Sequence, residues 1–266
     1  MGMAFSVLAS GSTGNAMYVE TSKTRLLIDA GLTGKKIEKM FAQIDRSIAD
    51  IDGVLVTHEH SDHVKGVGVL ARKYQIPVYA NEKTWKRMAE DLGPVDTSQC
   101  FHIETGGVYP FSDLDVETFA VSHDAVDPMF FVFHHENKKI ALATDMGYVS
   151  QHIKGVLADA DALIFEANHD MNMLRMGRYP WNVKRRILGD TGHVSNDDAA
   201  KALTSIIGDR TRYVYLAHLS QDNNLKQLAR MTVEQTLGTY EFDCTTNGVQ
   251  IRDTDPYMPT PIQKLM

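Results

Sequence analysis

The chain alternates short apolar runs with polar turns, which predicts an α/β protein. Strands are predicted at residues 5–8, 16–19, 25–28, 53–56, 77–80, 114–121, 129–134, 139–144, 161–166 and 213–218. Helices are predicted at residues 33–44, 64–75, 82–92, 195–206 and 225–231. We expect a hairpin through Cys244 and Ile251 to close the chain.

Side chains that suit metal binding follow several of these apolar runs directly. Residues 57–63 read Thr-His-Glu-His-Ser-Asp-His and follow the run 53–56. The same position after an apolar run is taken by His123, Asp145, Glu166 and His218. Imidazole and carboxylate suit Zn²⁺, Mn²⁺ or Fe²⁺, and no thiolate is near the motif in sequence. Because strands that end in this way converge at one sheet edge, the pattern predicts a metal site there.

Three further features have two interpretations each. The turn 10–15 is rich in glycine and hydroxyl groups, so it either leaves N–H groups for an anion or simply connects a hairpin. Asp29 either orients a metal-bound imidazole or caps a turn.

Residues 171–189 mix cations with aromatic rings, which suits either contact with nucleic acid or an ion-paired helical arm. The candidates for substrate contact are Ser10, Ser12, Asn15, Arg175, Arg178, Trp181, Lys184, Arg185 and Arg186.

The amino-acid composition and the net charge limit the classes of function that the chain can have. The 266 residues are 43% hydrophobic and 23% charged, so we expect one globular domain over residues 1–266. The formal net charge is -7, so nucleic acid could be bound only through a local basic patch. The two cysteines are distant and lack a Cys-x-x-Cys spacing, which predicts a cytoplasmic protein with no disulfide. No apolar run has the length needed to span a membrane, so we expect no membrane partner.

The potential ligands together resemble the metallo-β-lactamase superfamily, whose pattern is matched by Asp29, His58, His60, Asp62, His63, His123, Asp145 and His218. The resemblance implies a four-layer αββα sandwich that holds two divalent metal ions, Mn²⁺ or Zn²⁺. It implies that one ion is bound by His58, His60 and His123. It assigns Asp62, His63 and His218 to the other ion and Asp145 to both. Asp29 matches the pattern as the candidate for the support of an imidazole.

The nuclease branch of the superfamily matches best. The opening segment 8–15, Glu-Ala-Asn-His-Asp at 166–170 and the segments 176–181 and 192–195 are similar to YycJ/WalJ-type exonucleases. This resemblance implies a 5′-to-3′ exonuclease acting on double-stranded DNA, with a hydroxide bridging the metals as nucleophile. His193, oriented by Glu166, would protonate the leaving oxygen, and Asp62 would steer the hydroxide.

Two alternatives keep the fold and the metals. A hydrolase of small thioesters, lactones or cyclic phosphodiesters is mildly favoured by the acidic net charge, but a small substrate does not need five cations in one segment. An RNA-processing nuclease is the other alternative, although the glycine- and proline-rich arm of tRNA-processing relatives is missing. The residues alone leave open the metal, DNA against RNA, the direction of digestion and the oligomeric state.

Overall fold

The computed structural model describes residues 2–265. Contacts divide the chain into two compact units. The first unit runs from the N-terminal end to Ala120 and also includes Ala125–Lys138 and the segment from Thr254 onward. The second unit comprises Val121–Asp124 and Lys139–Asp253. The single domain expected from the sequence stays a prediction.

The strands and helices follow the predicted order. The strands are β1 (Ala4–Ala9), β2 (Ala16–Glu20), β3 (Arg25–Ile28), β4 (Gly53–Leu55), β5 (Val78–Ala80), β6 (Cys100–His102), β7 (Val108–Phe111), β8 (Leu114–Ala120), β9 (Met129–His135), β10 (Lys138–Ala143), β11 (Ala162–Glu166), β12 (Tyr213–Ala217), β13 (Gln250–Asp253) and β14 (Gln263–Lys264). The α-helices are α1 (Gly34–Gln43), α2 (Ser61–Val64), α3 (Val67–Tyr74), α4 (Glu82–Leu92), α5 (Gln151–Leu157), α6 (Met171–Met176), α7 (Trp181–Ile187), α8 (Asn196–Ile206) and α9 (Lys226–Thr239). None of the helices between residues 2 and 265 has both the length and the apolar character needed to cross a membrane.

The first unit contains a sheet in the order β14-β1-β2-β3-β4-β5-β6. β1, β2 and β3 form the expected antiparallel meander, and β3 to β6 are parallel neighbours. Ile37, Met40 and Phe41 of α1 are buried, and the Phe41 ring meets Tyr18 of β2 edge-on at 5.3 Å between centroids. Parallel order places the ends of β3 and β4 at the same edge, and Asp29 and the histidine motif follow these two ends.

The helix expected at residues 64–75 differs from its prediction. It begins earlier, at Ser61, and is divided into α2 and α3. The division falls at Gly66, whose N–H donates to the carbonyl of Ala30 at 2.7 Å. A Cβ at Gly66 would lie only 2.3 Å from the Leu32 carbonyl oxygen, so the close approach of the β3 loop requires glycine.

The second unit contains β10, β11, β12 and β13 as successive parallel neighbours. Helices α8 and α9 pack against each other. The expected closing hairpin is wrong, because β13 pairs in parallel with β12 and no strand precedes it in residues 241–249. The Asp243 side chain accepts the Thr246 N–H at 2.6 Å, and the Val249 N–H donates to the Cys244 carbonyl at 2.8 Å. These local bonds fold the segment into turns.

Replacement of Gly31 by alanine tests the close packing behind the histidine motif. The added Cβ would lie 1.6 Å from the Asp62 carbonyl oxygen, so one backbone must move. We expect Gly31→Ala to lower the free energy of unfolding by about 3 kcal/mol in urea titrations of the metal-free protein. Gly155→Ala is the control, because nothing lies within 4 Å of its Cβ position in α5. It should stabilise the protein by about 0.5–1 kcal/mol, and equal effects of the two changes would contradict the packing argument.

Candidate metal centre

The histidine motif of the first unit comprises the turn after β4 and the first three residues of α2. His58 and His63 are buried, whereas His60 and Asp62 are partly exposed. The Nε2 atom of His58 lies 3.2 Å from the Nδ1 atom of His60. Two nitrogen ligands of a tetrahedral ion, each about 2.1 Å from it, are about 3.4 Å apart. The two imidazoles therefore have a spacing that fits binding to one ion.

Asp29 orients this turn through Thr57, a residue whose role the sequence reasoning missed. Asp29 accepts the Thr57 N–H and hydroxyl, both at 2.8 Å, and its Oδ2 lies 2.7 Å from Nδ1 of His63. The Thr57 oxygen also lies 3.0 Å from Nδ1 of His58. Protons on both Nδ1 atoms make the Nε2 atoms the metal ligands, as when a carboxylate supports a zinc-bound imidazole. The contacts favour the orienting role of Asp29 over the turn cap.

Burial raises the pKa of Asp29 more than the charge of His63 and the hydrogen bonds from His63 and Thr57 lower it. This carboxyl group therefore depends on its donors to remain charged. A cation at the imidazoles would favour the charged form further.

The glycine-rich turn 10–15 does not provide the row of N–H groups considered from the sequence. Four of its six N–H groups, those of Ser10, Gly11, Gly14 and Asn15, already donate to protein oxygens. The buried Asn15 amide lies 3.0 Å from Nε2 of His63 and 3.3 Å from Oδ2 of Asp62. The turn is thus a hairpin connection that supports the ligand motif. A substrate contact by Ser10, Ser12 or Asn15 stays a prediction.

In the second unit, parallel strands bring polar residues together as the sequence predicted. Asp145 follows β10, Glu166 ends β11, and His218 follows β12. Ligand atoms of these three residues and of His193 all lie within 4.8 Å of one another. Imidazole and carboxylate without thiolate fit Zn²⁺ or Mn²⁺. The cluster has the chemistry of a divalent metal site.

His123 lies beside this cluster in the second unit. Its Nε2 lies 3.9 Å from Oδ1 of Asp145, and its Nδ1 lies 3.2 Å from the Gly192 carbonyl oxygen. Burial lowers the pKa of His123, and the nearby Asp145 offsets this only in part. The imidazole is therefore neutral at neutral pH, which is the form that binds metals.

Glu166 is a buried carboxylate with several donors. Oε2 accepts the N–H groups of Met146 at 2.8 Å and Val194 at 3.3 Å. Oε1 lies 2.8 Å from Nδ1 of His193 and 3.2 Å from Nδ1 of His218. Burial alone would raise the pKa of Glu166, but the charges and hydrogen bonds of the two imidazoles outweigh it and hold that pKa well below its usual value. Glu166 is therefore charged and fixes both rings.

Three of these residues share an unusual backbone conformation. Asp29, Asp145 and His218 have φ angles of 58°, 52° and 54°. This left-handed region costs a side-chain-bearing residue roughly 1–2 kcal/mol, although Asp and His tolerate it better than most. Asp29 and His218 directly follow β3 and β12, and Asp145 lies two residues after the last residue of β10. The surrounding hydrogen bonds hold these strained turns.

The basic segment forms α6 and α7 and uses its cations in different ways. Lys184 departs from the expectation, because it is buried and its ammonium donates to the carbonyls of Arg175 and Gly177 at 2.7 and 2.6 Å. Arg178 pairs with Asp222 at 2.5 Å, and Arg186 pairs with Asp124.

Arg175, Arg185 and Trp181 are exposed, and the Trp181 side chain has 62% of its surface accessible. Among residues 2–265, neither the Arg175 nor the Arg185 guanidinium makes an ion pair. These two arginines and the indole ring are therefore available to a ligand.

The chain belongs to the β-lactamase superfamily, whose domain model matches residues 24–219. It is 58% identical over 263 residues to exodeoxyribonuclease YycJ of Bacillus anthracis, with 99% of each chain covered. It is 49% identical to exodeoxyribonuclease WalJ of Streptococcus pneumoniae over 267 residues, which cover 100% of this chain and 99% of the relative. The crystal structure of the metallo-β-lactamase fold protein YhfI of Bacillus subtilis matches with a TM-score of 0.74 at 14% identity, covering 98% of this chain and 99% of that one. The predicted metallo-β-lactamase fold, of class α/β, is confirmed.

Replacement of Asp29 by asparagine tests its support of the imidazoles. The amide cannot accept hydrogen bonds at both ends, so His63 loses its charged partner. We expect Asp29→Asn to weaken Mn²⁺ binding about 10–100-fold, measured by titration against a competing chelator. Asp52→Asn is the control, since that exposed carboxylate accepts the Arg25 N–H at 2.7 Å, away from the motif. Unchanged Mn²⁺ affinity in Asp29→Asn would show that Asp29 only caps the turn.

Proposed function

We propose that the chain is a metal-dependent exodeoxyribonuclease that digests double-stranded DNA from the 5′ end. The observation that carries the proposal is the buried Glu166, which holds His193 at 2.8 Å beside the cluster of Asp145 and His218. The 3′ oxygen released from a phosphodiester is a poor leaving group and requires a proton donor. The two full-length relatives, both named exodeoxyribonucleases, support DNA as the polymer.

The proposed cofactor is a pair of divalent ions, Mn²⁺ or Zn²⁺, with the ligands assigned by family resemblance. The ligands are His58, His60 and His123 for one ion, Asp62, His63 and His218 for the other, and Asp145 for both. When bound, such ions lower the pKa of a water molecule and stabilise negative charge on phosphate oxygens. All seven ligand positions carry His or Asp, which makes a non-catalytic binding module a weaker proposal.

The chain's own residues provide the proton transfer. Glu166 fixes Nδ1 of His193, so the proton to be donated is on Nε2. His193 is 18% exposed, whereas Glu166 is fully buried. The partly exposed imidazole can reach a substrate, and the buried carboxylate can act only through it. Asp62, which is partly exposed and within hydrogen-bonding range of Asn15, is proposed to steer the attacking water.

We place the polymer on the arm formed by α6 and α7. Arg175 and Arg185 supply phosphate contacts, and Trp181 supplies a ring for base stacking. Arg178 and Arg186 contribute where a phosphate competes with Asp222 and Asp124. Lys184 is left out because its ammonium is already bonded. The free cysteines Cys100 and Cys244 suit a reducing compartment, so we propose that the protein acts in the cytoplasm.

End-labelled substrates test the proposed activity. With Mn²⁺ or Zn²⁺, we expect 5′-phosphorylated duplex DNA to shorten from the 5′ end faster than single-stranded DNA or either form of RNA. His193→Ala should lower the rate about 10²–10⁴-fold while metal content is retained. His60→Ala should lose both metal and activity.

An intact duplex with every metal would overturn the proposal. Hydrolysis of a thioester or lactone in its place would support the small-molecule alternative. Preferential digestion of RNA would support the RNA-processing alternative.

The arm is tested by the double replacement of Arg175 and Arg185 with glutamine. We expect weaker duplex binding and a slope of log K against log salt that is smaller by about 2, because two phosphate contacts are lost. Hydrolysis of bis(p-nitrophenyl) phosphate should be unchanged, since this small ester has no second phosphate for the arm to contact. Replacement of Lys23 and Arg87 with glutamine removes the same charge from the first unit and serves as control. Equal salt slopes for both double variants would refute the arm as the binding surface.

A further inference from the structure

Asn168 lies two residues after Glu166 and is buried. Its side-chain amide donates to the carbonyl oxygen of His218 at 2.8 Å, and the same nitrogen lies 3.5 Å from Nδ1 of His218. His218 has the left-handed backbone described above, with φ of 54°. Asn168 thus holds the carbonyl of a strained residue, and the direction of that carbonyl is coupled to the direction of the imidazole.

The backbone of Asn168 joins the other side of the cluster. Its N–H donates to the Val194 carbonyl at 2.9 Å, directly after His193 in the chain. Its carbonyl accepts the Ser220 N–H at 2.7 Å, two residues after His218. One residue therefore connects the segments that carry His193 and His218.

Other buried amides fix the position of Asn168. The Asn224 amide donates to the carbonyls of Ala167 at 2.8 Å and Asn168 at 3.1 Å. The side chains of Asn224 and Asn196 bond to each other at 2.9 and 2.8 Å. Buried amides in a satisfied network of this kind have a single low-energy arrangement.

His169 fixes the direction of the Asn168 side chain. Its Nδ1 lies 3.3 Å from Oδ1 of Asn168, so a proton on Nδ1 leaves the amide NH₂ of Asn168 to face His218. Burial lowers the pKa of His169 to about 4, and the nearby Glu166 offsets this only in part. The ring is therefore neutral at neutral pH, with one proton for this contact.

We propose that Asn168 is a positioning residue that keeps His218 in its metal-binding conformation and in register with His193. The inference rests on the proposed role of His218 as a metal ligand. Loss of the amide donor would let the left-handed turn at His218 relax, and the imidazole at its end would move away from the ligand position. The residue itself is not expected to contact the substrate.

Two variants test this role with Co²⁺ alone as the probe. Asn168→Asp keeps the shape but turns an oxygen toward the His218 carbonyl, and Asn168→Ala removes the group. For the full chain stripped of metal, we expect Co²⁺ affinity at the site assigned to His218 to fall about 10–100-fold, with a changed visible absorption spectrum. Ser150→Ala is the control in the same unit, because it removes the hydrogen bond to the Ile153 N–H that caps α5. It should lower the melting temperature and leave Co²⁺ binding unchanged.

The outcomes separate this inference from the proposed activity. A folded Asn168 variant that binds Co²⁺ as tightly as the unmodified chain, with the same spectrum, would overturn the positioning role. If Asn168→Ala fails to fold, the isosteric Asn168→Asp decides the result. Weakened Co²⁺ binding in a protein that never digests DNA would support the role of Asn168 and refute the nuclease.

Discussion

The structure depends on hydrogen-bond donors that stabilise two buried negative charges at strand ends, those of Asp29 and Glu166. An unpaired buried charge is strongly unfavourable, so the loops around Asp29 and Glu166 must supply donors. Asp29 accepts hydrogen bonds from Thr57 and His63. Glu166 accepts hydrogen bonds from two backbone N–H groups and two imidazoles. The difference in donors explains why burial raises the pKa of Asp29, whereas the pKa of Glu166 is lowered. In both units the hydrogen bonds that stabilise the buried charge also fix the direction of the imidazoles.

The ends of the strands were predictable because the relevant signal is local. A buried parallel strand is an apolar run, and a ligand-type residue directly after it is visible in the sequence at His58, Asp145 and His218. The parallel order of β10, β11 and β12 then brings the strand ends together without further information. The left-handed backbone at Asp29, Asp145 and His218 has no comparable signal, because Asp and His occupy that region only when a particular turn requires it.

The missed features depend on partners distant in sequence. Asn15 contacts His63 across 48 positions, and Asn168 contacts His218 across 50. The sequence around either asparagine does not distinguish it from an asparagine in an exposed turn. The hairpin expected near Cys244 failed for a related reason, since local bonds from Asp243 compete with strand pairing and β13 finds its partner in β12. Periodicity reports which face is buried, but it does not report which strand lies beside it.

The contacts that the cations of the arm already make within the protein determine how many of them could bind the proposed polymer. The sequence shows five cations between Arg175 and Arg186, and equal participation would give a salt slope of about -4.5. In the structure Lys184 is bonded to carbonyls, while Arg178 and Arg186 already have carboxylate partners. Of the five cations of the proposed arm, Arg175 and Arg185 are the two that would contact phosphate without first breaking a protein contact, and two such contacts correspond to a slope of about -2. With a formal net charge of -7, the proposed binding would depend on this local pair of arginines, because the net charge of the chain as a whole repels a polyanion.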